Sequence, residues 1–298
     1  MNTGPERAEL ANLLQNAGLG AVRPETLSLF KGGYSNTVWK AQTDAGPVVI
    51  KHYVSDNVRK NPYFPNLPDD EAAALALLAP LGLAPAPLVF LPAPAGGRAI
   101  LVYAFAEGPL WRGDMTTAAR LLGALHGVDP GTGFRKVAAS SAAIRTHGDM
   151  MLERADTPNP RLMHVRPDKA DADEPPLSLI HTDCGPGNIV ETAQGLVLID
   201  WQCPARGDAA EDIACFLSPA MMVLYGRTPH RDIQDFLAVY PDIATVGRYQ
   251  EKAAVLHWRI ACYCHFRARQ LAVSQPQTAE LYRDALEAEC SLLEGMQP

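Results

Sequence analysis

The sequence lacks the cysteine patterns, long apolar runs and basic excess that mark several large classes of protein. Its six cysteines are scattered along 298 residues without a CxxC pair. This spacing offers no paired-cysteine zinc motif and no disulfide framework of the kind found in small secreted domains. We therefore expect reduced thiols and a cytoplasmic location, since disulfides are rare there.

Membrane and nucleic-acid partners are likewise not expected. No apolar run is long enough to span a bilayer, and residues 1–7 lack the basic-then-apolar pattern of a secretory signal. The net charge of −7 argues against an extended nucleic-acid-binding surface. Hydrophobic residues make up 47% of the chain, and a chain of this length can form two units with separate cores.

The most informative segment spans residues 181–188 and reads HTDCGPGN. It contains Asp183 and Asn188, and the next predicted strand, residues 196–199, ends at Asp200. Phosphoryl transfer uses such an ordered set, because its loose transition state requires positioning and charge neutralisation more than a strong base. Asp183 can orient an acceptor hydroxyl and take its proton, so it is the predicted catalytic residue. Asn188 and Asp200 offer the hard oxygen ligands that Mg²⁺ prefers.

Three runs in the N-terminal part predict the strands of a small sheet: residues 27–30, 37–41 and 47–51. Glycines between the first two runs let backbone amides approach phosphate groups. Gly33, Ser35 and Asn36 are therefore candidate nucleotide-binding residues, the last two through side-chain donors. An ordinary turn between strands is the alternative interpretation of this loop.

Lys51 ends the third run, and Glu71 leads a predicted helix. Protein kinases pair a strand lysine with a helix glutamate to orient the α- and β-phosphates, and we assign these roles to Lys51 and Glu71. Asp69 and Asp70 equally fit helix-cap and first-turn positions. The polar, proline-containing segment 57–68 is expected to form a mobile loop before the helix.

Three features together resemble the kinase-like small-molecule phosphotransferases, the family of aminoglycoside phosphotransferases and choline kinases. They are the HxDxxxxN pattern at 181–188, the strand that ends in Asp200-Trp201, and the Gly207-Asp208 continuation. A looser resemblance extends from about Leu27 to the C-terminal helices. It implies that ATP and Mg²⁺ are the cofactors.

The resemblance implies an α+β fold of the bilobal, protein-kinase-like kind. Residues 1–107 would form an N-terminal lobe that covers ATP, with a small antiparallel β-sheet, one helix and a hinge near 103–107. Residues 108–298 would form a larger, mostly helical C-terminal lobe with the catalytic loop and the acceptor pocket. Tyr103 and Phe105 are the candidate side chains near the adenine, although a core position is the alternative for Tyr103.

The implied reaction is transfer of the γ-phosphoryl group to a hydroxyl of a small molecule: an amino alcohol, an amino sugar, a sugar or an aminoglycoside. A cationic acceptor would suit the negative net charge. One alternative is a catalytically silent nucleotide-binding protein. A protein kinase is a further alternative, but Thr182 and Trp201-Gln202 stand where protein kinases usually have Arg and Phe-Gly.

Several polar and aromatic residues of the C-terminal part have two interpretations. Asp212 is expected to bond the backbone of the catalytic loop. Asp208 and Glu211 lie where a cationic acceptor could be met, and a structural role at a helix start is the alternative for Asp208. Trp258 and Tyr263 lie in a predicted helix, where an aromatic stripe indicates core packing, or a cation–π site for a quaternary ammonium group.

Overall fold

The computed structural model of the protein describes residues 4–20, 22–30, 36–53, 61–93, 97–168, 171–228 and 232–297. The chain forms two compact units. The first comprises Met1–Pro109 and Val190–Cys203, and the second comprises Leu110–Ile189 and Pro204–Pro298. Asp200 therefore belongs to the same unit as the N-terminal sheet.

The first unit is built on a five-stranded antiparallel sheet with the strand order β1-β2-β3-β5-β4. The strands are β1 (Ser28–Leu29), β2 (Asn36–Thr43), β3 (Gly46–Tyr53), β4 (Pro87–Leu91) and β5 (Ile100–Ala104). In the register, Lys51 lies opposite Val38 on one side and Leu101 on the other. Because side chains alternate between the two faces of a sheet, these three residues share one face.

Helix α1 (Gly4–Asn16) packs against the other face of this sheet. Leu14 of α1 is buried together with Trp39, Ile50 and Val102. Gly18, with a φ of 87°, follows the helix in the left-handed region that glycine adopts without strain. The two faces thus differ: one is covered by a helix, and the other carries Lys51.

Helix α2 (Pro68–Leu78) begins with a proline at its first position, followed by Asp69, Asp70 and Glu71 in the first turn. Proline fits this position because the missing N–H has no partner within the helix. The expected loop before α2 is buried in its described part: Tyr63 and Phe64 are 7% and 5% exposed. The expectation of a mobile loop is wrong for this part, because the burial of these two aromatic side chains outweighs the polar composition of the segment.

The second unit is mostly helical. Its helices are α3 (Met115–His126), α4 (Ser141–Ala155), α5 (Pro160–His164), α6 (Ala210–Leu217), α7 (Pro219–Leu224), α8 (Ile233–Val239), α9 (Ile243–Leu271) and α10 (Pro276–Gly295). Strand β6 (Ser178–Ile180) pairs with β9 (Ala205–Gly207) in this unit. The hairpin of β7 (Ile189–Thr192) and β8 (Gly195–Leu198), the strand that precedes Asp200, belongs to the first unit except for Ile189. The long helix α9 packs against α4, α6 and α10.

The aromatic stripe of α9 belongs to the core. Trp258 and Tyr263 are 0% and 2% exposed, and the indole N–H of Trp258 donates to the carbonyl of Leu162 at 2.9 Å. The guanidinium of Arg166 lies 5.7 Å from the centre of the Trp258 ring. The hypothesis of a cation–π site for an acceptor at these two residues is therefore wrong, because their rings are buried against the protein itself.

None of the helices in the described part of the chain is long and apolar enough to cross a membrane. All six cysteines are free thiols with buried side chains.

Candidate active site

Lys51 and two carboxylates form a compact ionic cluster in the first unit. The Nζ of Lys51 donates to both carboxylate oxygens of Glu71, at 3.0 and 2.7 Å, and also to the carboxylate of Asp200. The hydroxyl of Tyr53 donates to Glu71 as well. The predicted contact between Lys51 and Glu71 is confirmed.

Burial and charge act against each other in this cluster. Burial alone would lower the pKa of Lys51, but the neighbouring carboxylates of Asp200 and Glu71 raise it above its usual value. Burial raises the pKa of the Glu71 carboxyl group, and Lys51 opposes that effect. Lys51 therefore stays protonated. When both carboxylates are ionised, the three charged groups leave one negative charge, which favours binding of a cation.

The carboxylate of Asp200 is the accessible part of the cluster. Its side chain is 42% exposed, whereas that of Lys51 is 2% exposed. Asp200 follows β8 with a φ of 61°, in the left-handed region that side chains other than glycine rarely adopt. The next residue, Trp201, is fully buried, and its indole N–H donates to the carbonyl of Leu198 at 3.0 Å. This anchor fixes the backbone that presents Asp200.

The catalytic loop of the second unit is held by Asp212 of α6. The fully buried carboxylate of Asp212 accepts hydrogen bonds from the backbone N–H groups of His181 and Thr182, at 2.7 and 2.8 Å. The Nε2 of His126 lies 3.1 Å from the same carboxylate. Burial would raise the pKa of Asp212, but the contacts with His126 and His181 lower it overall. The expected role of Asp212 is confirmed.

Asp183 and Asn188 lie close together on this loop. The side-chain nitrogen of Asn188 donates to the backbone carbonyl of Asp183 at 2.7 Å, so its carbonyl oxygen is the atom suited to a metal ion. The N–H of Asp183 donates to the Nδ1 of His181 at 3.3 Å. Thr182, immediately before Asp183, has a φ of 70°, a strained conformation for a β-branched residue.

Tyr225 is a further residue of this loop region that the sequence did not reveal. Its hydroxyl oxygen lies 3.0 Å from the side-chain nitrogen of Asn188 and 3.4 Å from the Oδ1 of Asp183. It follows α7, 42 residues after Asp183, and no local pattern around it indicates a site. Only the tertiary structure brings it there.

Three residues between β1 and the start of β2 were candidates for phosphate binding. Two of them, Gly33 and Ser35, lie outside the described residues, so their assignment stays a prediction. The side chain of Asn36 forms a reciprocal amide pair with buried Asn66, with distances of 3.0 and 2.6 Å. This pair connects the start of β2 with the segment before α2.

The two adenine candidates lie on the sheet. Tyr103 is buried in β5 opposite Val49, and burial raises the pKa of its hydroxyl group. Phe105 stacks on Phe30 with ring centres 6.2 Å apart, and the ammonium of Lys40 lies 3.6 Å from the centre of the Phe105 ring. Tyr103 shares its face of the sheet with Lys51, since Val49 and Lys51 are two residues apart on β3.

Asp208 and Glu211 connect α9 with the chain around the start of α6. Asp208 binds Arg248 at 3.1 Å and Lys252 at 2.9 Å, and Glu211 binds Arg259 at 2.7 Å. Both acidic side chains are almost fully buried. Asp208 also accepts from the N–H of Ala210 at 3.2 Å, so the structural alternative for Asp208 is confirmed. Because cations of the protein itself bind both buried carboxylates, the hypothesis that they contact an acceptor is wrong.

Comparison with models of known protein families supports the same chemistry. The model of the phosphotransferase enzyme family matches residues 26–251. None of the curated protein sequences compared with the chain matches it.

Solved structures show the same fold over nearly the whole chain. Spectinomycin phosphotransferase in complex with ADP and spectinomycin is 16% identical, with a TM-score of 0.65 and 97% of this chain and 98% of that chain covered. A choline/ethanolamine kinase family protein from Mesorhizobium loti is 19% identical, with a TM-score of 0.65 and coverage of 100% and 96%. Macrolide 2′-phosphotransferase from Brachybacterium faecium is 20% identical, with a TM-score of 0.61 and coverage of 95% and 97%. These similarities confirm the expected α+β, protein-kinase-like fold class.

Proposed function

This chain belongs to the phosphotransferase enzyme family, and we propose that it transfers the γ-phosphoryl group of ATP to a hydroxyl group of a small molecule in the presence of Mg²⁺. The observation that carries the proposal is the ionic cluster of Lys51, Glu71 and Asp200. Phosphoryl transfer needs a fixed cation for the phosphates of the nucleotide and a carboxylate for the metal ion, and the cluster supplies both.

In the nucleotide-binding part of the proposal, Lys51 binds the α- and β-phosphates. Glu71 holds its ammonium through two short contacts, so the lysine loses little conformational freedom when the nucleotide binds. Gly33, Ser35 and Asn36 are proposed to contact the phosphates. Tyr103 and Phe105 are proposed to lie near the adenine. The ADP complex of spectinomycin phosphotransferase supports a nucleotide of this class.

Asn188 and Asp200 are the proposed ligands of Mg²⁺. The donor chemistry fits, because the side-chain nitrogen of Asn188 is engaged with Asp183 and leaves an amide oxygen for the metal ion. Asp200 contributes a carboxylate that is 42% exposed. Mg²⁺ keeps several waters and requires only one or two protein oxygens. When bound, it neutralises charge that develops on the phosphoryl group.

Asp183 is the proposed catalytic residue, which orients the acceptor hydroxyl and accepts its proton. Its backbone is fixed on both sides, by Asn188 at its carbonyl and by His181 at its N–H. A fixed carboxylate is what the reaction requires, because a misplacement of about 1 Å can cost about 100-fold in rate.

The acceptor is proposed only as a class. The names of the similar structures refer to spectinomycin, to a macrolide and to choline or ethanolamine kinases. What these acceptors share is a hydroxyl group on a small molecule. We propose the same class for this chain: an amino alcohol, an amino sugar, a sugar or an aminoglycoside.

The test is ADP release by the purified protein with Mg²⁺ and ATP, across a panel of these acceptor classes and one generic protein substrate. Asp183→Asn should lower the acceptor-stimulated rate by about 10²- to 10⁴-fold, the usual contribution of a positioned acid or base. The exposed Asp114 gives a matched control, because Asn caps a helix as well as Asp does and Asp114→Asn should keep the rate. ATP binding without stimulation by any acceptor would contradict the proposal and favour a silent nucleotide-binding protein.

A further inference from the structure

Tyr225 contacts the catalytic loop through both parts of its side chain. The hydroxyl lies within hydrogen-bonding distance of Asn188 and Asp183. The ring lies against Gly185 and Gly187, where an added Cβ would come within 2.2 and 2.1 Å of ring atoms. One half-buried side chain of a different segment therefore contacts four residues of the loop.

The two glycines are needed for space rather than for backbone conformation. Gly185 has a φ of −60°, which any residue adopts, and Gly187 does not lie in the left-handed region either. A side chain at either position would displace the aromatic ring. Glycine at positions 185 and 187 thus leaves the space that the ring of Tyr225 occupies.

The backbone around Tyr225 is fixed as well. Its N–H donates to the carbonyl of Met221 at 3.1 Å, at the end of α7. Gly226 follows with a φ of 66°, the left-handed conformation that ends many helices. The guanidinium of Arg227 then donates to the backbone carbonyl of Trp111. The backbone that carries the ring is therefore fixed independently of the contact between the ring and the loop.

The hydrogen bonds determine the orientation of the Asn188 amide. Its nitrogen donates to two acceptors, the carbonyl of Asp183 at 2.7 Å and the hydroxyl of Tyr225 at 3.0 Å. A flipped amide would place its oxygen against the Asp183 carbonyl, where no proton lies between the two oxygens. The Tyr225 proton is then directed to the Asp183 carboxylate, 3.4 Å away.

We propose that Tyr225 is a positioning residue of the phosphotransfer site: its hydroxyl fixes the amide of Asn188 and the carboxylate of Asp183, and its ring fixes the loop between them. The inference rests on the proposed function, because it assigns the purpose of these contacts to metal binding and acceptor orientation. Groups that orient a metal ligand typically contribute about 10- to 100-fold to metal affinity or activity.

The direct test is Tyr225→Phe, which keeps the ring and removes the hydroxyl. The kcat should fall about 10-fold, with the KM values for ATP and the acceptor within about twofold. Mn²⁺ serves as the metal probe: its affinity in the presence of a non-hydrolysable ATP analogue, measured from the free-Mn²⁺ EPR signal, should also fall about 10-fold. Tyr282→Phe is the matched control, because that hydroxyl contacts Tyr263 rather than the loop, and it should change neither value.

A second variant tests the ring. In Gly187→Ala the new methyl group meets the Tyr225 ring, so the same losses in kcat and Mn²⁺ affinity are expected with the tyrosine still present. A displaced ring carries its hydroxyl away from Asn188 and Asp183, so both changes remove the same hydroxyl contacts. Gly187→Ala/Tyr225→Phe should therefore be no worse than the poorer single variant, rather than the product of the two losses.

The outcomes separate this inference from the proposed function. Tyr225→Phe with the kcat and Mn²⁺ affinity of the unchanged protein would overturn it. A lower melting temperature with unchanged Mn²⁺ affinity would also overturn it, since that result indicates a purely structural role. If the unchanged protein shows no acceptor-stimulated turnover, the proposed function fails, and the Mn²⁺ measurement still decides the role of Tyr225.

Discussion

Replacing Asp212 by asparagine is expected to loosen the catalytic loop without touching a reacting group. The Asp212 carboxylate accepts two backbone hydrogen bonds, from His181 and Thr182. Asparagine offers one acceptor oxygen in place of two, so its amide nitrogen would face a backbone N–H. That buried donor would have no acceptor, and the strained φ of 70° at Thr182 would lose part of its support.

The size of the effect follows from the number of bonds. Leaving a buried donor unsatisfied costs about 1–3 kcal/mol, and the loss of charge from the remaining bonds adds about 1 kcal/mol. We expect Asp212→Asn to lower the free energy of unfolding by about 2–4 kcal/mol. For a chain of this length, this corresponds to a melting temperature lower by about 3–6 °C. The kcat should fall too, because Asp183 directly follows Thr182.

The pH dependence has a defined sign. Because the pKa of Asp212 is lower in the folded protein than its ordinary value of 3.8, the ionised carboxylate stabilises the folded state. That contribution is fully present above the unfolded pKa and is lost as the pH falls through the folded pKa. The stability difference between Asp212→Asn and the unchanged protein should therefore be constant between about pH 5 and 7 and shrink below about pH 4.

Urea unfolding followed by tryptophan fluorescence at several pH values measures both quantities. Asp114→Asn is the control, because Asp114 is an exposed cap of α3 and asparagine caps equally well. An Asp212→Asn protein with the same urea midpoint as this control would refute the reasoning. A stability difference that grows as the pH falls below 4 would refute the assigned sign.

Two further substitutions test the buried carboxylates of Glu71 and Glu289. Glu71→Gln removes the charge that holds the Lys51 ammonium, so kcat/KM for ATP should fall about 10- to 100-fold. Steady-state kinetics with varied ATP measure this change, and an unchanged kcat/KM would contradict the assigned pair. Glu289→Ala leaves three buried donors without their acceptor, among them Ser218 at 2.7 Å and His257 at 2.6 Å. It should lower the free energy of unfolding by about 3–5 kcal/mol in urea titrations. The exposed Glu251, changed to Ala as a control, should stay within about 0.5 kcal/mol; a loss for Glu289→Ala equally small would show that its network contributes little.

The residues that the sequence revealed are those whose signal is local. Asp183, Asn188 and Asp200 lie within one short stretch, where a loop and a strand fix their order. Lys51 at the end of a strand and Glu71 at the start of the next helix match the lysine–glutamate pair of kinases, and their contact confirms that pairing. In each case the signal is the order of residue types along a short segment, so it could be read without tertiary structure.

Other contacts depend on packing between distant segments and have no local signal. Tyr225 reaches Asp183 across 42 residues, and Asn66 reaches Asn36 across 30. Asp208 and Glu211 were ambiguous for a related reason. Acidic side chains usually face solvent. Only the position of α9 shows that Asp208 and Glu211 are buried and bound by lysine and arginine side chains of the protein itself.

The strained residues show why positions that carry no chemistry should affect activity. Thr182 and Asp200 both have left-handed backbones, which cost about 1–3 kcal/mol each and persist only where the surroundings enforce them. In the second unit the enforcing residue is Asp212, bonded to the Thr182 N–H; in the first it is buried Trp201, next to Asp200. Each unit thus places a proposed catalytic or metal-binding carboxylate at a strained turn and fixes the turn with a buried neighbour. Substitution of either neighbour should release the strain, so that the carboxylate moves and activity falls.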